Sequence, residues 1–227
     1  MSWQRKEIIG GCTLYLGNSM EIMPALIPAD LVVSDVPYSL TTGGKAKSQK
    51  TMSGIFAADN YANNGQLVMA TVPFPAMMNA LHAGFQFHNL LVWDKVSPTA
   101  NRWYMKNLEF TLYLWKGRAR TINNPSSKQL IRGGVDKETS HPTEKPVYLM
   151  EEYILNSSAH GETVLDPFMG SGTTGVACVK TGRKFIGIEI DPIYFELACE
   201  RIRDAYSLPS MFSDQAHKAH SQGAMDI

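Results

Sequence analysis

Val164-Leu-Asp-Pro-Phe-Met-Gly-Ser-Gly-Thr-Thr174 decides the fold of this chain. The apolar run Thr163–Leu165 predicts a strand that ends on Asp166. A glycine turn follows, and small residues from Thr173 to Lys180 predict a helix. A strand, a tight turn and a helix in that order form the βα unit that binds nucleotide-like cofactors at the carboxyl end of a parallel strand. Gly170 and Gly172 let backbone amides approach a ligand closely, because no Cβ stands in the way. About twenty residues further on, Phe185-Ile-Gly-Ile-Glu189 predicts a second strand ending on an acid, placed to accept both hydroxyls of a ribose. Asp166, the glycine turn and Glu189 together describe a pocket for an adenosine-bearing cofactor.

Charge decides among such cofactors. A phosphate cradle needs GxxxxGK[ST], and no lysine follows these glycines. Gly170-Ser-Gly172-Thr-Thr-Gly175 has the glycines of a dinucleotide fingerprint, so a dinucleotide is a real rival. Asp166 and the adjoining Pro167-Phe168 argue against it: a carboxylate repels a diphosphate and attracts an ammonium or a sulfonium. S-adenosylmethionine carries both cations. The bland alternative is a structural turn with no ligand, and two acids at two strand ends count against it.

Working outward, further strands are predicted at Thr13–Leu16, Leu31–Ser34, Gln66–Ala70, His88–Trp93, Phe110–Trp115 and Lys184–Ile188. Helices are predicted at Ser19–Leu26, with Asn18 as N-cap and Pro24 against it, and at Val72–Leu81. Others are predicted at Pro146–Asn156, with Pro146 in its first turn, and at Pro192–Tyr206. Alternating strands and helices predict an α/β fold: one doubly wound, mostly parallel, Rossmann-like sheet with helices on both faces. The cofactor strand comes late in the chain and the strand ending at Asp35 comes early. That order fits a circular permutation, in which both strands open onto one crevice.

Three motifs in one order carry a family resemblance. Asp166-Pro-Phe-Met-Gly-Ser-Gly-Thr-Thr174 resembles the cofactor motif of amino-methylating DNA methyltransferases. Ser34-Asp-Val-Pro-Tyr38 resembles their catalytic Asp-Pro-Pro-Tyr. His141-Pro-Thr-Glu-Lys-Pro146 resembles the segment before the cofactor motif in the subgroup whose catalytic motif comes first (the β-type order). The similarity covers roughly residues 10–204. It implies a permuted S-adenosylmethionine-dependent methyltransferase acting on an exocyclic amino group of DNA.

Such a nitrogen is a poor nucleophile, because its lone pair is delocalised into the ring. Hydrogen bonds accepted from its two N–H groups turn it toward a tetrahedral geometry. Asp35 supplies one acceptor, and the resemblance implies that the carbonyl of Val36 supplies the other. Tyr38, after Pro37, offers a flat face on which an extruded base can stack. The methyl passes directly from sulfur to nitrogen, so no nucleophilic cysteine is needed. Val36 departs from the family pattern, which has proline there. The carbonyl survives, but the fixed φ is lost, so slower turnover is expected, with Val36→Pro raising the rate. The resemblance also ties aspartate at position 35 to adenine N6, since cytosine-N4 relatives usually show serine.

Net charge is zero, which at first argues against nucleic acid, yet residues 39–137 hold twelve Lys/Arg against four Asp/Glu. Such polarity suits a DNA-facing surface. Lys116, Arg118, Arg120, Lys128 and Arg132 form an acid-free basic run, and Lys45, Lys47 and Lys50 lie in a Gly/Lys/Ser/Thr-rich loop over residues 41–54. A solvated surface with no ligand is the alternative for both. Residues 1–207 read as one methyltransferase domain, with a short recognition region over 116–140 and a flexible tail over 208–227. So short a region is expected to read two to four bases or to rely on a second subunit, a homodimer being one form.

The remaining readings are looser. Lys145 and Thr143 could reach the cofactor's carboxylate, or Lys145 could sit exposed at a helix start. Asn18 could meet the cofactor adenine, but its simpler role is the N-cap. Phe168 either covers the cofactor or belongs to the core, and Ser171 and Thr173 complete the cofactor turn. Trp93, Trp103 and Trp115 read as core or interface, and His141 as structural. Cys12, Cys178 and Cys199 are widely spaced, which suggests neither a disulfide framework nor a zinc site. No apolar run resembles a signal peptide or reaches membrane-spanning length, so a cytoplasmic protein of a bacterium or phage is expected, with double-stranded DNA as partner and a possible place in restriction-modification. Rival functions are cytosine-N4 methylation, methylation of RNA or a glutamine side chain, a DNA-binding module with a decayed site, and a dinucleotide oxidoreductase.

Overall fold

A computed structural model describes residues 3–35, 61–70, 80–99, 104–135 and 144–207, with the backbone alone at 61–70 and 98–99. Among them nine strands form one sheet. In chain order these are β1 (Arg5–Ile9), β2 (Cys12–Leu16), β3 (Ala29–Asp35), β4 (Tyr61–Ala70), β5 (Gln86–Thr99), β6 (Lys106–Trp115), β7 (Leu130–Arg132), β8 (Thr163–Asp166) and β9 (Lys184–Glu189). The helices are α1 (Ser19–Ile22), α2 (Val147–Ser157), α3 (Thr173–Thr181) and α4 (Pro192–Ser207). The sheet order is β1-β2-β9-β8-β3-β4-β6-β5-β7.

The five central strands, from β2 to β4, all run parallel. β6 runs against β4 and β5, and β1 runs against β2. The expected doubly wound, mostly parallel sheet is therefore present, with antiparallel strands toward both margins. A fully covered central sheet needs apolar residues facing both ways, and alternate residues do face two separate cores. Leu14, Leu31, Val33, Val164 and Phe185 belong to one core, with residues of α2, α3 and α4. Tyr15, Val32, Leu165, Ile186 and Ile188 belong to the other, with Ile22 and Met23. α4 shows how its face is chosen: Phe195, Ala198, Cys199 and Ile202 are buried, spaced i, i+3, i+4, i+7. Burying Phe195 alone contributes about 2–3 kcal/mol.

Several elements differ in detail from the sequence reading. β1 was not foreseen; Gly10, with φ of 55°, and Gly11 turn it into a hairpin with β2. The three-residue β7 is also new. The helix expected over Ser19–Leu26 is α-helical to Ile22 and tightens into a 3-10 turn over Met23–Ala25, because Pro24 has no N–H to continue the ladder. Pro146 is the N-cap of α2 and stands outside its first turn. Most of the helix expected over Val72–Leu81, the 41–54 loop and the 208–227 tail lie outside the described residues. Among the described residues no helix is long and apolar enough to cross a membrane.

Candidate active site

Strand pairing builds the site. β3 and β8 are parallel neighbours, with Leu31 opposite Val164 and Val32 opposite Leu165. Their last residues, Asp35 and Asp166, therefore stand at the same edge of the sheet although 131 positions separate them in the chain. β9 flanks β8 on its other side and ends on Glu189. Three acids thus close three adjacent parallel strands, at the edge where open α/β sheets bind their ligands.

Asp166 is buried. Its Oδ2 accepts from Thr174 Oγ1 at 2.7 Å and its Oδ1 from the Phe168 amide at 3.0 Å. Burial pushes its carboxyl up to about 7, and the charges of Asp35 and Glu189 add to the rise; the two hydrogen bonds pull the other way. Glu189 is also raised by burial, although three backbone amides donate to it: Gly170 at 2.9 Å, and Ile190 and Asp191 at 2.8 Å. Its bond to Gly170 ties the glycine turn to β9. Gly170 and Gly172 have φ of 52° and 81°. Gly172 precedes α3, and a Cβ there would stand 2.8 Å from the Ala198 Cβ and 2.9 Å from its Cα, so the turn presses directly on α4.

The cofactor-motif side chains do not all open onto this edge. Arg201 of α4 donates to the Ser171 carbonyl at 2.8 Å, to Ser171 Oγ at 3.1 Å and to Thr173 Oγ1 at 3.2 Å. Ser171 and Thr173 stand in the turn, as expected by position, but their hydroxyls are buried and turned toward α4. Pro167 is buried, and Phe168 packs partly buried against the second core. Asn18 follows β2 beside Glu189, since the Gly17 amide donates to the Glu189 carbonyl. Its Oδ1 accepts from the Met20 amide at 3.0 Å, which is the N-cap bond.

Lys145 points at the catalytic candidate. Its Nζ donates to Asp35 Oδ2 at 2.7 Å and stands 3.4 Å from Glu109 Oε2. Lys95 Nζ pairs with Glu109 Oε1 at 3.1 Å. Next to Lys145 in the chain, Glu144 pairs with Arg201 at 2.7 Å, with both side chains almost fully buried. Glu109, Lys95 and Arg201 were missed by the sequence reading, and Glu144 and Thr174 stood inside its motifs without a role. Arg201 could have been found, since it lies three residues after Ala198, beside the buried stripe of α4. Glu109 carries no motif and is placed by strand pairing alone. Val36, Pro37, Tyr38, Lys45, Lys47, Lys50, His141, Thr143 and Trp103 lie outside the described residues.

The basic run does not form one face. Trp115 pairs with Gln66 and Gln86, at the level of Leu31, so Lys116 leaves β6 at the edge opposite the acids. Its ammonium lies over the Phe85 ring. Arg120 makes a two-pronged pair with Glu162, at 2.9 and 3.0 Å, just before the amino end of β8. Arg120 is thus tied to the far edge of the sheet, a correction to its place in a DNA-facing row. Arg118 is exposed in the same segment and Lys128 is exposed near α2. Arg132 ends β7 at the acids' edge, pairs with Asp94 at 2.9 Å and stays 74% exposed. Trp93 is core, as expected, and Trp115 helps line a cavity of about 380 Å³ with His88, Tyr113 and Tyr153.

The charges of Asp35 and Glu189 add to the proton affinity of buried Asp166, and a cation placed beside it relieves that repulsion. This chemistry could hold a ligand bearing a sulfonium and an ammonium. Asp35, at the neighbouring strand end, can accept from an amino group.

Comparison with known proteins agrees with the geometry. A family model described as DNA methylase (N6_N4_Mtase) matches residues 47–200. The type II methyltransferase M2.DpnII of Streptococcus pneumoniae is 35% identical over 219 residues, covering 76% of this chain and 82% of that protein. The DNA adenine methyltransferase YhdJ of Escherichia coli K12 is 47% identical over 72 residues, which is 32% of this chain and 24% of that one. The crystal structure of the M1.HpyAVI–SAM complex superposes with a TM-score of 0.70 at 30% identity, covering 84% of this chain and 99% of that one.

Proposed function

The chain belongs to the N6/N4 DNA methylase family, and from that premise we propose that it transfers a methyl group from S-adenosylmethionine to the N6 amino group of adenine in double-stranded DNA. The observation that carries this reading is the pairing of β3 with β8, which sets Asp35 beside Asp166 and the glycine turn. When bound, S-adenosylmethionine supplies an electrophilic methyl on a cationic sulfur.

The chain's own residues do the rest. Asp166 attracts the cofactor's cationic groups, Glu189 accepts from its ribose hydroxyls and the glycine turn at 170–172, with no side chain at either end, leaves room for its path. Asp35 accepts one N–H of the target amine and the carbonyl of Val36 accepts the other, which frees the nitrogen lone pair for in-line attack. Tyr38 stacks on the extruded base. The proton released from the methylated nitrogen leaves to water or to Asp35. Aspartate at position 35 and the likeness to YhdJ, named as an adenine enzyme, favour adenine over cytosine.

The test is to incubate the purified chain with labelled cofactor and unmethylated bacterial DNA, then digest to nucleosides. N6-methyldeoxyadenosine is expected. N4-methyldeoxycytidine would refute the base assignment, and no incorporation would refute the activity.

A further inference from the structure

Lysines in clefts that bind carboxylate-bearing ligands are natural candidates to bind the ligand. Here the geometry assigns Lys145 elsewhere. Its ammonium already donates to Asp35 Oδ2 at 2.7 Å and faces Glu109 Oε2 at 3.4 Å, and its side chain is only 10% exposed. Swinging it toward a third carboxylate would leave partly buried Asp35 without this cation and Glu109 with Lys95 alone, and an uncompensated charge in such a place is costly.

Its surroundings hold it in place. Lys95 braces the far oxygen of Glu109 at 3.1 Å, giving an alternating row Asp35, Lys145, Glu109, Lys95 that sums to zero charge. Lys95 sits in a constrained turn: Asp94 Oδ1 accepts from the Val96 amide at 3.1 Å, and Val96 takes φ of 65°. A β-branched residue adopts that conformation only at a cost, and such strain collects where a neighbouring side chain must be aimed. The backbone is fixed as well, since Glu144 is bound to Arg201 and Arg201 to the Ser171 carbonyl. The segment carrying Lys145 and the cofactor turn are therefore fastened to the same guanidinium.

We propose that Lys145 is a positioning residue: it fixes the Asp35 carboxylate for the target amine and does not bind the cofactor. The inference rests on the methyltransferase reading above. An aspartate at the end of a strand has two rotatable bonds, and its oxygen must meet an N–H to within a fraction of an ångström. A misplacement of about 1 Å can cost about 100-fold in rate. Valine at position 36 does not fix φ as proline would, so a side-on restraint on Asp35 matters more here.

The experiment measures S-adenosylmethionine affinity by calorimetry and the single-turnover methylation rate at saturating cofactor, with unmethylated bacterial genomic DNA. Lys145→Met is expected to lower that rate about 100-fold while leaving cofactor Kd within about twofold. Lys145→Arg, which keeps the cation, is expected to recover at least about tenfold of the loss. A Lys145→Met protein with weaker cofactor binding and an unchanged rate at saturation would overturn the proposal, and so would one with neither quantity changed. Should Lys145→Met fail to fold, Glu109→Gln decides the matter: a fall of about tenfold in rate at constant cofactor Kd supports the row of charges, and an unchanged rate overturns it. A wild-type chain that methylates no DNA would refute the function itself along with this inference, whereas an active wild type matched by the variants refutes this inference alone.

Discussion

Asp166 is the residue whose chemistry is most exposed to experiment. Its carboxyl is displaced from 3.8 to about 7, chiefly by burial. The folded chain therefore holds this proton over a range where the unfolded chain has lost it. The sign follows: the contribution of Asp166 to stability declines as pH rises from about 4 through about 7 and stays low above that. Cofactor binding has the opposite sense, because a cation selects the ionised form. Affinity for S-adenosylmethionine should be about tenfold weaker at pH 6 than at pH 8, and Asp166→Asn should be weaker at both and flatter between them. Isothermal titration across that range checks it; a pH-independent Kd would contradict the role given to this acid. The same residue shows what sequence conveys. An acid at a strand end before glycines was readable as a cation site, but its bond to Thr174 and its interaction with Asp35 arise from packing and pairing.

At the level of elements, the glycine turn and α4 act as one unit. Gly172 combines a left-handed φ with a close approach to Ala198, so Gly172→Ala meets both a conformational cost and a collision with backbone. A Cβ in the left-handed region costs about 1–2 kcal/mol before the collision is counted. The variant should melt several degrees lower and bind cofactor at least about tenfold more weakly. Circular dichroism and calorimetry measure both, and a variant with wild-type values would show the turn to be more pliant than described. Short apolar runs made β2, β3, β8 and β9 legible, the small residues after the glycine turn did so for α3, and the i, i+3, i+4, i+7 stripe did so for α4. β1 escaped because its half-buried Arg5 and Glu7 and its exposed Lys6 and Ile8 carry no apolar alternation, although Gly10-Gly11 is a pair suited to a hairpin. β7 is too short to carry a pattern, and the end of α1 depended on how Pro24 would be accommodated.

Over the whole molecule, the sheet separates two edges with different roles. The acids, Lys145 and Arg132 stand at the carboxyl edge of the parallel strands, while Arg120 and Lys116 stand at the other. Charge counting along the chain could not make that distinction, since it depends on β6 running antiparallel. Arg132→Ala should weaken duplex DNA binding and reduce its salt dependence by about one ion, whereas Arg120→Ala should leave DNA affinity within about twofold and cost at most about 1 kcal/mol of stability. Fluorescence anisotropy at several salt concentrations separates the two; equal losses for both would put DNA on a different face from the one argued here. The fold class and the meeting of Asp35 with the cofactor motif were foreseen from motif order, because parallel strands in this fold open onto one crevice. The row of charges that holds Asp35 was not, because it joins residues from four separate segments of the chain.

The central claim is that one cleft holds both the cofactor and the carboxylate that prepares the amine. A crystal structure of the chain with S-adenosylhomocysteine measures it directly. The ribose is expected at Glu189, the amino group near Asp166 and the sulfur facing Asp35 across the ends of β8 and β3. A ligand lodged in the cavity beside His88, Tyr113 and Tyr153, or with its sulfur turned away from Asp35, would contradict it.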